Sequence, residues 1–202
     1  MRDLKKAANV SEEVLRRLET YLALLTKWQR RVNLVGASTM ADPWRRHFLD
    51  CAQLAPHIDP KDKTVVDIGS GAGFPGLVLA IMGVPGIELV ESNLRKCQFL
   101  EEAARETGTN VRIHPRRAED LGEGFADLVT ARAVAPLDRL LGSAHRILRN
   151  GGRCLFLKGK LARQELTGAT KSWNMRFEIV PSLSDPSGAI LKLEGIVHRR
   201  ER

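Results

Sequence analysis

The segment that most constrains this chain is a short β-branched run, Thr64-Val65-Val66-Asp67-Ile68. It leads straight into Gly69-Ser70-Gly71-Ala72-Gly73-Phe74-Pro75-Gly76 and then an apolar helical stretch. A short apolar run rich in valine and bounded by turn residues reads as a buried strand. Glycine supplies backbone with φ > 0 and lets a ligand approach the main chain closely. Strand, glycine-rich turn and helix in that order open a βαβ unit. The carboxyl end of such a strand is where open α/β sheets bind ligands.

The rest of the chain continues the alternation. Strands are expected at Gly86–Val90, Val111–His114, Phe125–Ala131 and Arg153–Leu157, the last entered through a Gly151-Gly152 turn. Helices are expected from about Pro75 and over Leu94–Glu106, Leu137–Leu148 and Leu161–Ser172. Two final strands, Arg176–Val180 and Ala189–Val197, suit antiparallel pairing around a Ser184–Gly188 turn. Alternating strands and helices imply a mostly parallel, twisted sheet with right-handed crossovers and helices on both faces. Before it, Val14, Leu18, Tyr21, Leu25, Trp28 and Val32 recur at helical spacing after Ser11, a suitable N-cap. A second helix is expected from Asp42-Pro43 to about Leu54. The expected fold is a Rossmann-like α/β sheet with an antiparallel C-terminal strand and added N-terminal helices. It forms a single domain over residues 1–202, with a helical extension over 1–60 and the α/β core over 61–202.

Composition bounds the alternatives. The chain has 202 residues, 43% hydrophobic and 28% charged, a globular mix that argues against a disordered or fibrous chain. No run of 18 apolar residues supports a membrane span. The charged start, Met1 to Val10, lacks the apolar stretch of a secretion signal. Cys51, Cys97 and Cys154 form no CxxC pair, so neither a disulfide framework nor a metal site is expected, and a cytoplasmic location is. The net charge of +8 is unevenly placed. Residues 1–60 carry 10 basic against 7 acidic side chains, residues 61–150 carry 12 against 12, and residues 151–202 carry 10 against 5. Such ends suit polyanions, or serve only as a solvated surface.

The glycine turn admits more than one ligand. Gly71-Ala72-Gly73-Phe74-Pro75-Gly76 matches G-x-G-x-x-G, and Glu91 follows Gly71 by 20 residues, the spacing of a ribose-binding acid. A dinucleotide site therefore competes. Asp67, just before the first glycine, instead suits the cationic amino-acid part of S-adenosylmethionine (SAM), and no second half for a dehydrogenase substrate is evident. A tight turn without a ligand is the plain alternative.

The stretch Val65 to Gly76 is similar to the SAM motif of the bacterial RsmG (GidB) family, 16S ribosomal RNA guanine-N7 methyltransferases of the class I SAM-dependent fold. The resemblance extends upstream to Trp28, Asn33-Leu34-Val35 and Arg46-His47-Phe48-Leu49-Asp50. Downstream it takes in Glu91-Ser92, Arg95-Lys96, Arg117-Ala118-Glu119, Thr130 to Ala135 and Leu157-Lys158-Gly159. It covers roughly residues 20–160. Two positions depart from the family pattern: Glu91 stands where Asp is usual, and Cys51 follows Asp50 where Ser is usual.

The resemblance implies SAM as cofactor, with S-adenosylhomocysteine as product, and transfer to a guanine N7 in the 530 loop of 16S rRNA. The partner would be 16S rRNA, the small ribosomal subunit or an assembly intermediate, with the protein acting as a monomer without metal or membrane. By motif match, Asp67, Gly69, Gly71, Phe74, Glu91, Ala118, Glu119 and Arg132 hold the cofactor, Asp67 taking the methionine amine and Glu91 the ribose. Arg132 positions the base; Arg45, Arg46, Arg132 and Lys158 meet RNA. Further RNA-docking candidates are Arg30, Arg31, Lys160, Arg199 and Arg200. Each has a plainer role open to it. Glu91 suits a helix cap, Arg132 an ion pair, and His47 with Asp50, three apart on one helix face, a local hydrogen bond. The chemistry asks for little machinery, because N7 carries its lone pair in the neutral base and alignment does most of the work. The rival functions are a small-molecule methyltransferase, an NAD(P)-dependent oxidoreductase and a non-catalytic RNA- or ribosome-binding module.

Overall fold

The computed structural model describes Leu4 and residues 10–199. Arg200 and most of Met1–Val10 lie outside the described residues.

Helix α1, Glu12–Gln29, opens where the sequence places it, with the Ser11 hydroxyl accepting from the Val14 N–H. Its buried stripe is Leu15, Leu18, Tyr21 and Leu25. After a 3-10 turn, Ala37–Ala41, the expected second helix departs from α geometry. Asp42 caps it through Oδ1 to the Arg45 N–H, but Trp44–Leu49 winds as a π-helix before the short α2, Asp50–Ala52. The wider turn is uncommon and frequent at functional sites. Here it carries Arg45, Arg46, His47 and Asp50.

Seven strands form one sheet: β1 Val65–Ile68, β2 Ile87–Val90, β3 Arg112–His114, β4 Ala126–Arg132, β5 Leu148–Lys158, β6 Trp173–Pro181 and β7 Ala189–His198. Their order is β3-β2-β1-β4-β5-β7-β6. The first five pair in parallel, and β7 runs antiparallel between β5 and β6. Helices α3 Gly76–Ile81, α4 Leu94–Glu106, α5 Leu137–Ile147 and α6 Ala162–Ala169 supply the crossovers. β5 starts earlier than expected. Leu148 and Arg153 pair two residues apart on β4, so the chain between them bulges out, with Gly151 at φ 80°.

Alternation along the strands sends side chains to two cores. Val65 packs with α1, Phe48, α3 and α4; its neighbour Val66 packs with α5, α6 and Trp173 on the other face. The N-terminal helices thus share an apolar core with the sheet. The parallel strands all end on one edge, and the β6–β7 connection, Ser182–Gly188, returns to that same edge because Ala189 pairs with Lys158. Among the described residues no helix is long and apolar enough to cross a membrane.

Candidate active site at the carboxyl edge of the sheet

A cavity of about 670 Å³ opens at the carboxyl ends of β1, β4 and β5. Its volume lies within the range of small-molecule and cofactor sites. The glycine turn forms one wall through Gly69, Ser70, Gly71, Ala72 and Phe74. Gly69 has φ 64°, and a Cβ there would lie 2.8 Å from Val134 Cγ1, so this position admits glycine alone without moving the opposite wall. At Gly71 a Cβ would meet nothing nearer than 3.7 Å, which leaves the space beside its Cα open. Tyr21, from the α1 stripe, donates its buried hydroxyl to the Ala72 carbonyl and ties the N-terminal helix to the turn.

The opposite wall is built around Arg132 at the end of β4. Its Nη1 donates to the Arg46 carbonyl at 2.9 Å and to Asp50 Oδ2 at 3.3 Å. Its Nη2 donates to His47 Nδ1 at 2.9 Å. A guanidinium only donates, so Nδ1 is the acceptor and His47 carries its proton on Nε2. Nε2 then donates to Thr39 Oγ1 at 2.9 Å, and that hydroxyl donates to the Gly36 carbonyl at 2.6 Å. The His47 ring stacks on Phe74 at 4.8 Å and 13°, and Arg132 Cζ lies 4.7 Å from the same ring. Burial, then the charges of Arg132 and Arg46, push His47 down to about 3. The imidazole is a neutral hydrogen-bonding bracket.

The other charged groups on this wall are also engaged. Asp50 faces Arg132, Asp185 accepts from Arg46 Nη1 at 2.8 Å, and Glu165 accepts from Lys158 Nζ at 2.8 Å.

Gly69, Gly71, Phe74, Arg46, Arg132 and Lys158 all line the cavity, as the sequence leads one to expect of a common site. The remaining candidates stand elsewhere. Asp67 is fully buried beneath the turn, where Oδ2 accepts from the Gly76 N–H at 3.1 Å and Oδ1 from Thr130 Oγ1 at 3.2 Å. Its carboxylate is not on the cavity wall, which corrects the expectation that it meets the methionine amine; burial pushes it up to about 7. Glu91 lies behind Gly71 and accepts from the N–H groups of Gly71 at 3.0 Å and Asn93 at 2.7 Å. Ala118 is buried in the second core, and the Glu119 carboxylate is taken by the Ser143 hydroxyl. Lys158 is corrected as a phosphate contact. Its side chain is 8% exposed and also donates to the Ala135 carbonyl at 2.7 Å. Arg45 is exposed, with Nε donating to the Ser184 carbonyl at 2.8 Å.

The sequence also leaves residues unnamed that the site uses. Thr39, Gln53, Ser184 and Asp185 all touch the Arg132 wall or its supports. Only the Ser184–Gly188 turn was legible, and nothing in its spacing says what it packs against.

The sheet order, the antiparallel seventh strand and the glycine-turn cavity define the Rossmann-like fold of the SAM-dependent methyltransferases. Solved structures share it. An Aquifex aeolicus SAM-dependent methyltransferase superposes with a TM-score of 0.59 over 79% of this chain and 96% of its own, at 17% identity. A Thermus thermophilus 16S rRNA N2 methyltransferase, solved with AdoMet and guanosine, gives 0.56 over 73% of this chain and 38% of its own, at 19% identity. The chain itself belongs to the rRNA small subunit methyltransferase G (GidB) family, whose model matches residues 14–190. It is 53% identical to the ribosomal RNA small subunit methyltransferase G of Paramagnetospirillum magneticum over 98% of this chain and 97% of that one. The protein of the same name from Rhodospirillum centenum is 53% identical over 98% and 91%.

Proposed function

We propose that this chain transfers a methyl group from SAM to N7 of one guanine in the 530 loop of 16S rRNA, leaving S-adenosylhomocysteine. The observation that carries the reading is the state of the cavity wall. His47 is neutral with both ring nitrogens committed, and Asp50, Asp185 and Glu165 are each paired with a cation. Among the described residues this wall holds charge in place and keeps no spare base. It suits an acceptor that needs no deprotonation, and guanine N7 is one.

The residues present fit the cofactor: open space beside the Gly71 Cα, the Phe74 ring and a cavity of suitable size. When bound, SAM would supply an electrophilic methyl on a sulfonium sulfur, which suits an acceptor such as guanine N7 that has a lone pair and no proton to lose. Gly69 holds the amino-acid end through backbone, and Gly71, its N–H spent on Glu91, leaves room beside it. Glu91 keeps lone pairs for the ribose hydroxyls beside those spent on Gly71 and Asn93. Asp67 acts at one remove, fixing the turn through Gly76. Arg132 keeps the Nη2 hydrogen not spent on His47 for O6 or a phosphate and holds the base in line. The target is unpaired or flipped, because a stacked base in an A-form helix is out of reach.

The test uses tritium-methyl SAM with naked 16S rRNA, assembly intermediates and small subunits from cells lacking this gene, followed by nuclease mapping. Label in a single 16S guanine as 7-methylguanine is expected. Label at another atom overturns the N7 assignment. SAM binding without RNA label points to a small-molecule substrate, and loss of both leaves an RNA-binding module.

A further inference from the structure

We infer that the β6–β7 connection, Ser182–Gly188, positions the Arg132 guanidinium, with Ser184 and Gln53 acting as positioning residues through Asp50. What Arg132 does once placed rests on the methyl-transfer reading; how it is placed does not.

Both acceptors of Arg132 Nη1 are held by this one connection. The first is Asp50. Its Oδ2 faces Arg132, while Oδ1 accepts from Ser184 Oγ at 2.5 Å and from Gln53 Nε2 at 3.1 Å. Gln53 is locked in turn, since Nε2 also donates to Ser182 Oγ at 3.0 Å and Oε1 accepts from the Leu183 N–H at 2.8 Å. The second acceptor is the Arg46 carbonyl. Arg46 donates through Nη1 to Asp185, and its neighbour Arg45 donates through Nε to the Ser184 carbonyl. The π-helix therefore sits pinned between β4 and the hairpin connection.

The arrangement is buried where it matters: Ser184 is 3% exposed and Gln53 6%. An aspartate carboxylate rotates easily about its last torsion, whose preference is broad and two-fold. Two donors on Oδ1 remove that freedom and aim Oδ2 at Arg132. Nη2 is held separately by His47, so losing the connection would free one side of the fork and leave the other attached. A misaligned fork still binds an anion but no longer fixes a plane.

The experiment compares Ser184→Ala and Ser184→Thr in the full chain by two independent readouts. The first is nitrogen-15 NMR of the Arg132 side chain without any substrate. Distinct Nη signals are expected in the wild type and in Ser184→Thr, and a merged, averaged signal in Ser184→Ala. The second is methyl transfer to small subunits. Ser184→Ala is expected to lower kcat about tenfold with KM for RNA and calorimetric SAM affinity within about twofold. Ser184→Thr restores the rate. In an Arg132→Ala background, Ser184→Ala is expected to cost nothing more, because the two act in series. Unchanged Arg132 signals in Ser184→Ala, or losses that multiply in the double variant, overturn the inference. If the wild type methylates no RNA, the proposed function falls, and the Arg132 signals still decide the positioning role.

Discussion

At Arg132 the arrangement depends on the protonation of one neighbour. A proton on His47 Nδ1 would set donor against donor across a 2.9 Å contact. Because His47 is held at about 3, below its ordinary 6.5, the unfolded chain takes up that proton first as pH falls. Its contribution to stability is complete above about 6.5 and is lost on acidification toward 3. Asp67 has the opposite sign. Held at about 7 by burial, it stays protonated in the folded state while the unfolded carboxyl ionises, so its contribution is complete below about 4 and is lost as pH rises through 7. His47→Gln keeps an acceptor for Arg132 and a donor for Thr39 without a titrating ring. Urea unfolding from pH 7 to 4 is expected to show a shallower acid loss in His47→Gln than in wild type. Asp67→Asn is expected to abolish the decline between pH 4 and 7. Curves parallel to wild type in either variant would remove that group from the balance. Gly69, Gly71, Phe74 and Arg132 were legible in the sequence because each sits at a strand end that the βαβ pattern fixes. Lys158 sits at such an end too, and the pattern misleads there. Its partner Glu165 comes from the following helix, and no spacing rule says whether a strand-end lysine turns to solvent or to α6.

The elements themselves were readable where one local rule dominates. Leu94–Glu106 is found at its expected bounds because Asn93 is a strong N-cap, accepting from the N–H groups of Arg95 at 3.0 Å and Lys96 at 3.2 Å. Ser11 caps α1 with one bond at 3.2 Å. Replacing a cap by alanine costs about 0.5–2 kcal/mol. Asn93→Ala belongs at the upper end and Ser11→Ala at the lower. Asn93 loses two bonds, and its segment is also tied through Glu91 to the glycine turn. At roughly 2–4 °C per kcal/mol for a chain of this size, thermal unfolding should separate the two variants. An equal or reversed order would show that the α4 cap is not coupled to the turn. The π-helix was not legible, because Trp44–Leu49 carries an apolar pattern that suits α geometry, and the hairpin connection that Arg45 and Arg46 contact lies over 130 residues later. The early start of β5 was hidden for a similar reason: Gly151-Gly152 marks a change of direction, and only the pairing with β4 makes it a bulge within a strand.

Across the whole molecule the basic side chains fall into two groups. β7 runs from Ala189, beside the cavity edge at Lys158, to His198, which pairs with Trp173. Ten extended residues span about 30 Å. Arg199 therefore stands at the far end of the sheet, where its Nε donates to the Thr170 carbonyl at 3.0 Å. Arg30 and Arg31 are exposed at the end of α1, just before the Leu34–Gly36 stretch that lines the cavity, and exposed Lys160 follows the cavity residue Gly159. On the proposed function, an RNA strand entering the cavity would pass the second group and miss the first. Each phosphate neutralised on single-stranded RNA contributes about −0.7 to the slope of log K against log salt. Replacing Arg30, Arg31 and Lys160 together by alanine is expected to make that slope shallower by about 2, read by fluorescence anisotropy on a 16S loop fragment between about 50 and 200 mM salt. Arg199→Ala is expected to leave it unchanged. A slope that responds to Arg199 as strongly as to the cavity-side group would mean that RNA wraps the length of the sheet. Docking would then be set by the charge of the whole molecule, with the cavity edge only one part of the footprint.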